Sequence, residues 1–203
     1  DEYNNLQIVL NGYRFPDPSY EGKGRWASRL VEVAARKQGM TDPQVRLPDM
    51  DEEGIELAVL YGPSYAFHAN SIDDPELSVV YAQVWNDWAH EYCSANPDRL
   101  RYAAIVPLAN MEATVAEVRR VVERGTAAGI MIGPNFGGKS LDHPYFDPLY
   151  NAARELDVPV CVHASVGSQR NIQGIGVHEN WFITHALAFP FGIIHAVASV
   201  VCG

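Results

Sequence analysis

The sequence predicts an α/β domain built on a parallel β-sheet, and three observations carry that prediction. Short apolar runs alternate with helical patterns four times between residues 56 and 202, the pattern of right-handed βαβ crossovers. The runs ELAVLYG, RYAAIVPL, AAGIMIG and VPVCVH are almost continuously apolar, as strands covered on both faces are. The chain has 203 residues, 47% of them apolar, enough for one domain with a sizeable core. A doubly wound sheet and part of a (β/α)8 barrel both fit this rhythm. A complete barrel takes roughly 250 residues, so the four units here amount to about half of one.

Residues 1–26 lack helical periodicity. LQIVLNGYRF predicts a hairpin around Asn11-Gly12, an insertion on the same single domain, followed by the loop PDPSYEGKG. Residues 28–38 form a charged helix candidate that Gly39 ends, and a short acidic helix with Gly54 as its stop follows. The first strand spans 56–62. A long helix is expected from Pro75 to Ala95, with Asp74 as its cap and Pro75 in its first turn. Leu77, Tyr81, Val84, Trp88 and Tyr92 recur at steps of three or four and are expected to face the core. The second strand is 101–108. Asn110 caps a helix whose Val115, Val118 and Val122 share a face and which Gly125 stops. The third strand is 127–133, and the next helix is 143–157 with Leu149, Ala153 and Leu156 inward. VPVCVH is the fourth strand, and an apolar helix runs from Trp181 to Cys202.

A net charge of −10 repels nucleic acid and anionic membrane surfaces. No apolar stretch reaches the ~18 residues of a membrane span, and no secretory signal pattern opens the chain. Small molecules or proteins are the expected partners. Cys93, Cys161 and Cys202 are scattered, which is neither a disulfide framework nor a metal knuckle, and a cytoplasmic, reducing setting is expected. The first residue is not Met and the chain stops as a helical pattern finishes, so it is expected to be part of a longer protein.

Ligands of parallel α/β folds sit at the C-terminal ends of the strands. His163 ends the fourth strand, where an imidazole can bind a metal or move a proton; the alternative is a partly buried ring bonded to backbone. Asn135 and Phe136, in GPNFGG after the third strand, are candidates to orient and wall a ligand, or else turn residues. His143 is expected at a helix start and His90 on an exposed face. The sequence has no H-x-H, H-E-x-x-H, C-x-x-C, G-x-G-x-x-G, G-x-x-x-x-G-K-[ST] or G-x-S-x-G motif. NFGGKS lacks the spacing of a phosphate loop and is taken as a turn. A nucleotide enzyme and a serine hydrolase are disfavoured.

LPDMDEEGIELAVLYGPS, YAQVWNDWAHEYCSANPDRLRYAAIVPL, AAGIMIGPN, HPYFDPLYNAARELDVPVCVHAS and THALAFPF together resemble the amidohydrolase-related (amidohydrolase 2) family. The resemblance is to the branch holding aminocarboxymuconate-semialdehyde decarboxylase and the resorcylate decarboxylases. It implies a (β/α)8 barrel of the metal-dependent hydrolase type, of which this chain covers roughly strands two to five and the flanking helices. It also implies one divalent metal, zinc or else manganese, held by an early D-x-H motif, a His ending the fifth strand and a late Asp. VCVHAS matches that fifth strand, so His163 takes the metal-ligand position.

The other implied site residues are substrate-binding. Arg14, in the early hairpin, matches an Arg that meets the substrate carboxylate, for which a guanidinium offers two parallel hydrogen bonds. Phe182, Phe189 and the loop around Arg170 fall where the family closes its pocket. The early D-x-H, the catalytic His and the late Asp are not in the sequence; the last two are expected beyond Gly203, so this segment alone is expected to be inactive. The expected function is hydrolysis or non-oxidative decarboxylation of a small carboxylated ring or enol acid. The rival is a non-catalytic barrel kept as a binding scaffold. A homodimer is implied, with the apolar final helix as a candidate surface, and exposed strand edges would otherwise favour association.

Overall fold

The computed structural model describes residues 8–10, 13–15, 38–62, 72–164 and 181–203. Strands β1 (Ile8–Leu10) and β2 (Tyr13–Phe15) pair antiparallel, with Val9 opposite Arg14. This is the hairpin expected around Asn11-Gly12. It forms a two-stranded sheet of its own. The helix expected at 28–38 falls almost wholly outside the described residues. A 3-10 turn at Gln38–Met40 leads into helix α1 (Pro43–Glu52), whose cap Asp42 accepts from the Gln44 N–H. Gly54 follows it at φ 68°, a conformation glycine adopts without strain.

The main sheet has four parallel strands in the order β3 (Ala58–Leu60), β4 (Leu100–Ile105), β5 (Ala127–Ile132) and β8 (Val160–Val162). Helix α2 (Pro75–Cys93) joins β3 to β4, α3 (Met111–Glu123) joins β4 to β5, and α4 (Asp147–Glu155) leads into β8. Helix α5 (Trp181–Cys202) follows β8. Between β5 and α4 a small hairpin, β6 (Asn135–Phe136) and β7 (Lys139–Ser140), turns through Gly137 and Gly138, both at positive φ. Two consecutive positive-φ residues make the tight turn that suits strand twist.

Strand order follows chain order, with none of the reversal that defines a doubly wound sheet. One face of the sheet carries Leu60, Leu100, Tyr102, Ala104, Ile130, Ile132, Val160 and Val162, and these pack with α1, α2, α3, α4 and Ala196 of α5 in one core. A main helix layer on one face of sequential parallel strands, with α2 reaching the other face through Ala82, makes half of a (β/α) barrel. By the two-residue alternation of strands, the opposite face carries Val59, Tyr61, Ala103, Ile105, Gly129, Met131, Cys161 and His163.

Helix α2 departs from expectation. Its cap is as predicted, with Asp74 accepting from the N–H groups of Glu76 and Leu77. Its buried face, however, is Ser78, Ala82, Asn86, Ala89, Tyr92 and Cys93, while Leu77, Val80, Val84 and Trp88 are exposed. The reason lies at the top of β4. Strand β3 pairs only as far as Leu60 with Tyr102, which leaves the next backbone groups of β4 without a ladder partner. The Asn86 side chain takes the place of the missing strand. Its Oδ1 accepts from the Ile105 N–H at 3.0 Å, and its Nδ2 donates to the Ile105 carbonyl at 2.8 Å and to Glu117 Oε1 at 2.6 Å. Ala82 packs with Ala103, Ile105 and Met131. So close an approach to a strand edge admits only small side chains.

Candidate active site

The site is built at the C-terminal end of the sheet. Strand β8 pairs with β5 through Ile130–Val160, Met131–Cys161 and Ile132–Val162. The ladder runs one step further, with the His163 N–H donating to the Ile132 carbonyl at 2.9 Å. His163 therefore points to the face opposite the main core, two residues after Cys161. Its Nδ1 lies 2.7 Å from the Ala164 carbonyl oxygen. A carbonyl only accepts, so Nδ1 carries the proton, and in the neutral ring Nε2 holds the lone pair. This arrangement, a backbone carbonyl fixing one nitrogen, sets the tautomer of metal-binding histidines.

Tyr61 directly follows the other edge strand, β3. Its ring centroid lies 5.7 Å from that of His163, at 38°. The neighbouring Cys161 thiol, and next partial burial, hold its phenol above the ordinary value. Beside Cys161 lies Gly129 of β5. A Cβ there would stand 2.9 Å from Cys161 Sγ and 3.2 Å from the Pro159 carbonyl. Glycine is what lets the thiol sit down on the sheet.

Gly133 and Pro134 separate β5 from Asn135 and Phe136, which lie at the end of the sheet where His163 lies. Asn135 is half-buried and pairs with Ser140 in the hairpin. The Phe136 ring is buried in the main core, stacked on Tyr145 with centroids 6.3 Å apart. Phe189 is half-buried on α5. Arg14 lies on β2 and Phe182 on α5, and the structure describes their backbone alone; Arg170 falls outside the described residues. His143 caps the 3-10 turn Pro144–Phe146, its Nδ1 accepting from the Tyr145 N–H at 3.0 Å. His90 is not on an exposed face as expected: it is half-buried, with Nδ1 2.7 Å from the Thr126 hydroxyl.

A catalytic divalent ion takes about three protein donors plus water. His163 fits one of those places by position and tautomer. Among the described residues, no three His, Cys, Asp or Glu side chains gather around one point. Sequence reasoning singled out His163 but passed over Tyr61 and Cys161. The alternation of β3 and β8 held the signal, since it puts 61, 161 and 163 on the face that 58, 60, 160 and 162 leave.

Comparison with known proteins agrees with this frame. The amidohydrolase family matches residues 20–201. The chain is 26% identical over 164 residues to 2-amino-3-carboxymuconate-6-semialdehyde decarboxylase of Dictyostelium discoideum, covering 80% of this chain and 43% of that protein. It is 33% identical over 141 residues to gamma-resorcylate decarboxylase of Rhodococcus jostii, covering 65% of this chain and 42% of that protein. Among solved structures, 5-carboxyvanillate decarboxylase of Novosphingobium aromaticivorans, complexed with manganese and 4-hydroxy-3-methoxy-5-nitrobenzoic acid, superposes with a TM-score of 0.64 at 25% identity, covering 78% of this chain and 44% of that one. The chain thus spans less than half the length of each. A match that runs over nearly all its residues, on a half-barrel with a histidine at the end of its last sheet strand, places the chain in the amidohydrolase family.

Proposed function

We propose that the protein is a metal-dependent, non-oxidative decarboxylase or hydrolase of small carboxylated aromatic or enol acids. His163 is one ligand of its divalent ion, and the other donors come from outside the described residues. The observation that carries this reading is the His163 imidazole at the C-terminal end of β8, on the face opposite the main core, with Nδ1 fixed by the Ala164 carbonyl. Support comes from relatives that are decarboxylases of carboxylated compounds and from the manganese in one solved neighbour. Zinc is the first choice of ion and manganese the second. A divalent ion held there polarises the oxygens of a bound acid.

The chain's own residues then bind and orient. Arg14, brought in by the β1–β2 hairpin, meets the substrate carboxylate with two parallel hydrogen bonds. Asn135 presents an amide to a polar substituent, on a hairpin that the buried Phe136 ring anchors. Phe182 and Phe189 of α5 close the apolar side of the pocket. A homodimer is part of the same proposal, and sedimentation of the full-length protein as a monomer at micromolar concentration would remove it.

The test is metal content and carbon dioxide release from gamma-resorcylate and 5-carboxyvanillate, for the full-length protein and its His163→Ala variant. The variant is expected to lose both metal and activity. Unchanged metal occupancy would overturn the assignment of His163.

A further inference from the structure

Tyr61 plays no part in the function proposed above, yet it stands at the same end of the sheet as His163. It directly follows β3, and strand alternation puts it on the face opposite the main core. Its ring centroid is 5.7 Å from that of His163. Packing does not account for this residue. Tyr92, Tyr102, Tyr145 and Tyr150 belong to the main core and Tyr81 to the smaller one, whereas Tyr61 belongs to neither and is 43% exposed. Val59, one alternation earlier on the same face, is exposed as well. An apolar strip thus runs along the inner face of β3 and ends in an open aromatic ring beside the histidine. Ligand pockets are lined in this way, by aromatic and apolar side chains next to a few polar groups.

We infer that Tyr61 is the aromatic platform of the acid-binding site: the ring of a flat, conjugated acid stacks on it while the acid's carboxylate is held beside His163. The inference rests on the reading that a small carboxylated acid binds there, and it deepens that reading by naming the planar aromatic class as the one the site selects. The carboxylate of such an acid is one bond from its ring, so a carboxylate beside His163 brings that ring within the 4.5–7 Å over which aromatic rings pack. Tyr61 is then a specificity residue, because a puckered ring of the same size offers no flat face to it. Aromatic pairing adds to area burial an increment that corresponds to about 2- to 10-fold in affinity.

The experiment is isothermal titration calorimetry of the full-length protein with benzoate and with cyclohexanecarboxylate. The two share a carboxylate and differ in that only the first ring is flat. Wild type is expected to prefer benzoate. Tyr61→Leu should lower that preference about 2- to 10-fold, and Tyr61→Phe, which keeps the ring, should retain it. The ratio of the two dissociation constants is the readout, since general loosening of the site would weaken both acids alike. Tyr61→Met takes the place of Tyr61→Leu if the latter fails to fold, with the same expectation.

If wild type binds both acids equally, or if the preference survives in the leucine or methionine variant, the platform is overturned while the acid-binding reading stands. If wild type binds neither acid, the reading and the platform fall together.

Discussion

The rings of Tyr61 and His163 lie 5.7 Å apart, although the two residues end opposite edges of a four-stranded sheet. In a flat sheet, three strand spacings of about 4.8 Å would separate those edges by roughly 14 Å. The gap closes because the sheet curves toward the face that lacks the main helix layer, and because large side chains stand at its edges while Ala103 and Gly129 lie between them. The same relationship makes Gly129 a sensitive position. Gly129→Ala puts a Cβ 2.9 Å from Cys161 Sγ and 3.2 Å from the Pro159 carbonyl, and backbone cannot yield as a flexible side chain can. A loss of about 1–3 kcal/mol is expected, measured by urea unfolding.

Asn86→Ala removes three hydrogen bonds at once. It leaves the Ile105 N–H and C=O without their partner and takes one donor from Glu117, which is 3% exposed and otherwise held by Arg120. Orphaned buried groups cost about 1–3 kcal/mol each, so the variant is expected to lose at least about 3 kcal/mol. Asn86→Asp should do no better, because a carboxylate cannot donate to Ile105 and would stand against Glu117. Equilibrium unfolding of the two variants checks both expectations.

Burial, and next the Arg124 guanidinium, hold the His90 imidazole below its ordinary value of 6.5 in the folded chain. The unfolded chain therefore binds this proton more readily. The contribution to stability is complete above about pH 6.5 and is lost as pH falls toward the folded value. His90→Gln, which cannot titrate, should flatten that limb of the stability curve relative to wild type. Parallel limbs in unfolding measured from pH 7.5 to 5 would refute the expectation.

The cysteines should differ in reactivity. Burial pushes the Cys93 thiol up to about 11, and it is fully enclosed, whereas Cys202 is exposed near the end of α5. Thiolates do the reacting, so at pH 8 a disulfide reagent should label Cys202 promptly and reach Cys93 only on unfolding. Peptide mapping of the labelled sites gives the order.

Much of this architecture was legible in the chain because its signals are local. Asp74 before Pro75, Asn110 before α3, and Gly54 and Gly125 after their helices act within one turn, and all function as caps or stops. Periodicity was less informative where a helix is apolar on two sides. In α2, the large residues Leu77, Val84 and Trp88 formed the stronger stripe, yet the small face is buried, because the free edge of β4 demands close approach. That demand is set by where β3 stops pairing, which no local pattern encodes. Position alone named His163, whereas Tyr61 as its neighbour depends on how far the sheet curves, a property of four strands together. The buried Phe136 ring was equally out of reach, since the aromatic cluster with Tyr145 and Phe146 joins segments only after the hairpin has turned.

Because a helix side chain, not a strand, completes the ladder at Ile105, α2 and the upper part of β4 cannot open independently. Amide exchange at Ile105 should report the docking of α2 instead of fraying of the sheet, and the two elements should exchange as a single cooperative unit. The end of β4 that leads toward the site is then as slow to open as the helix seated against it.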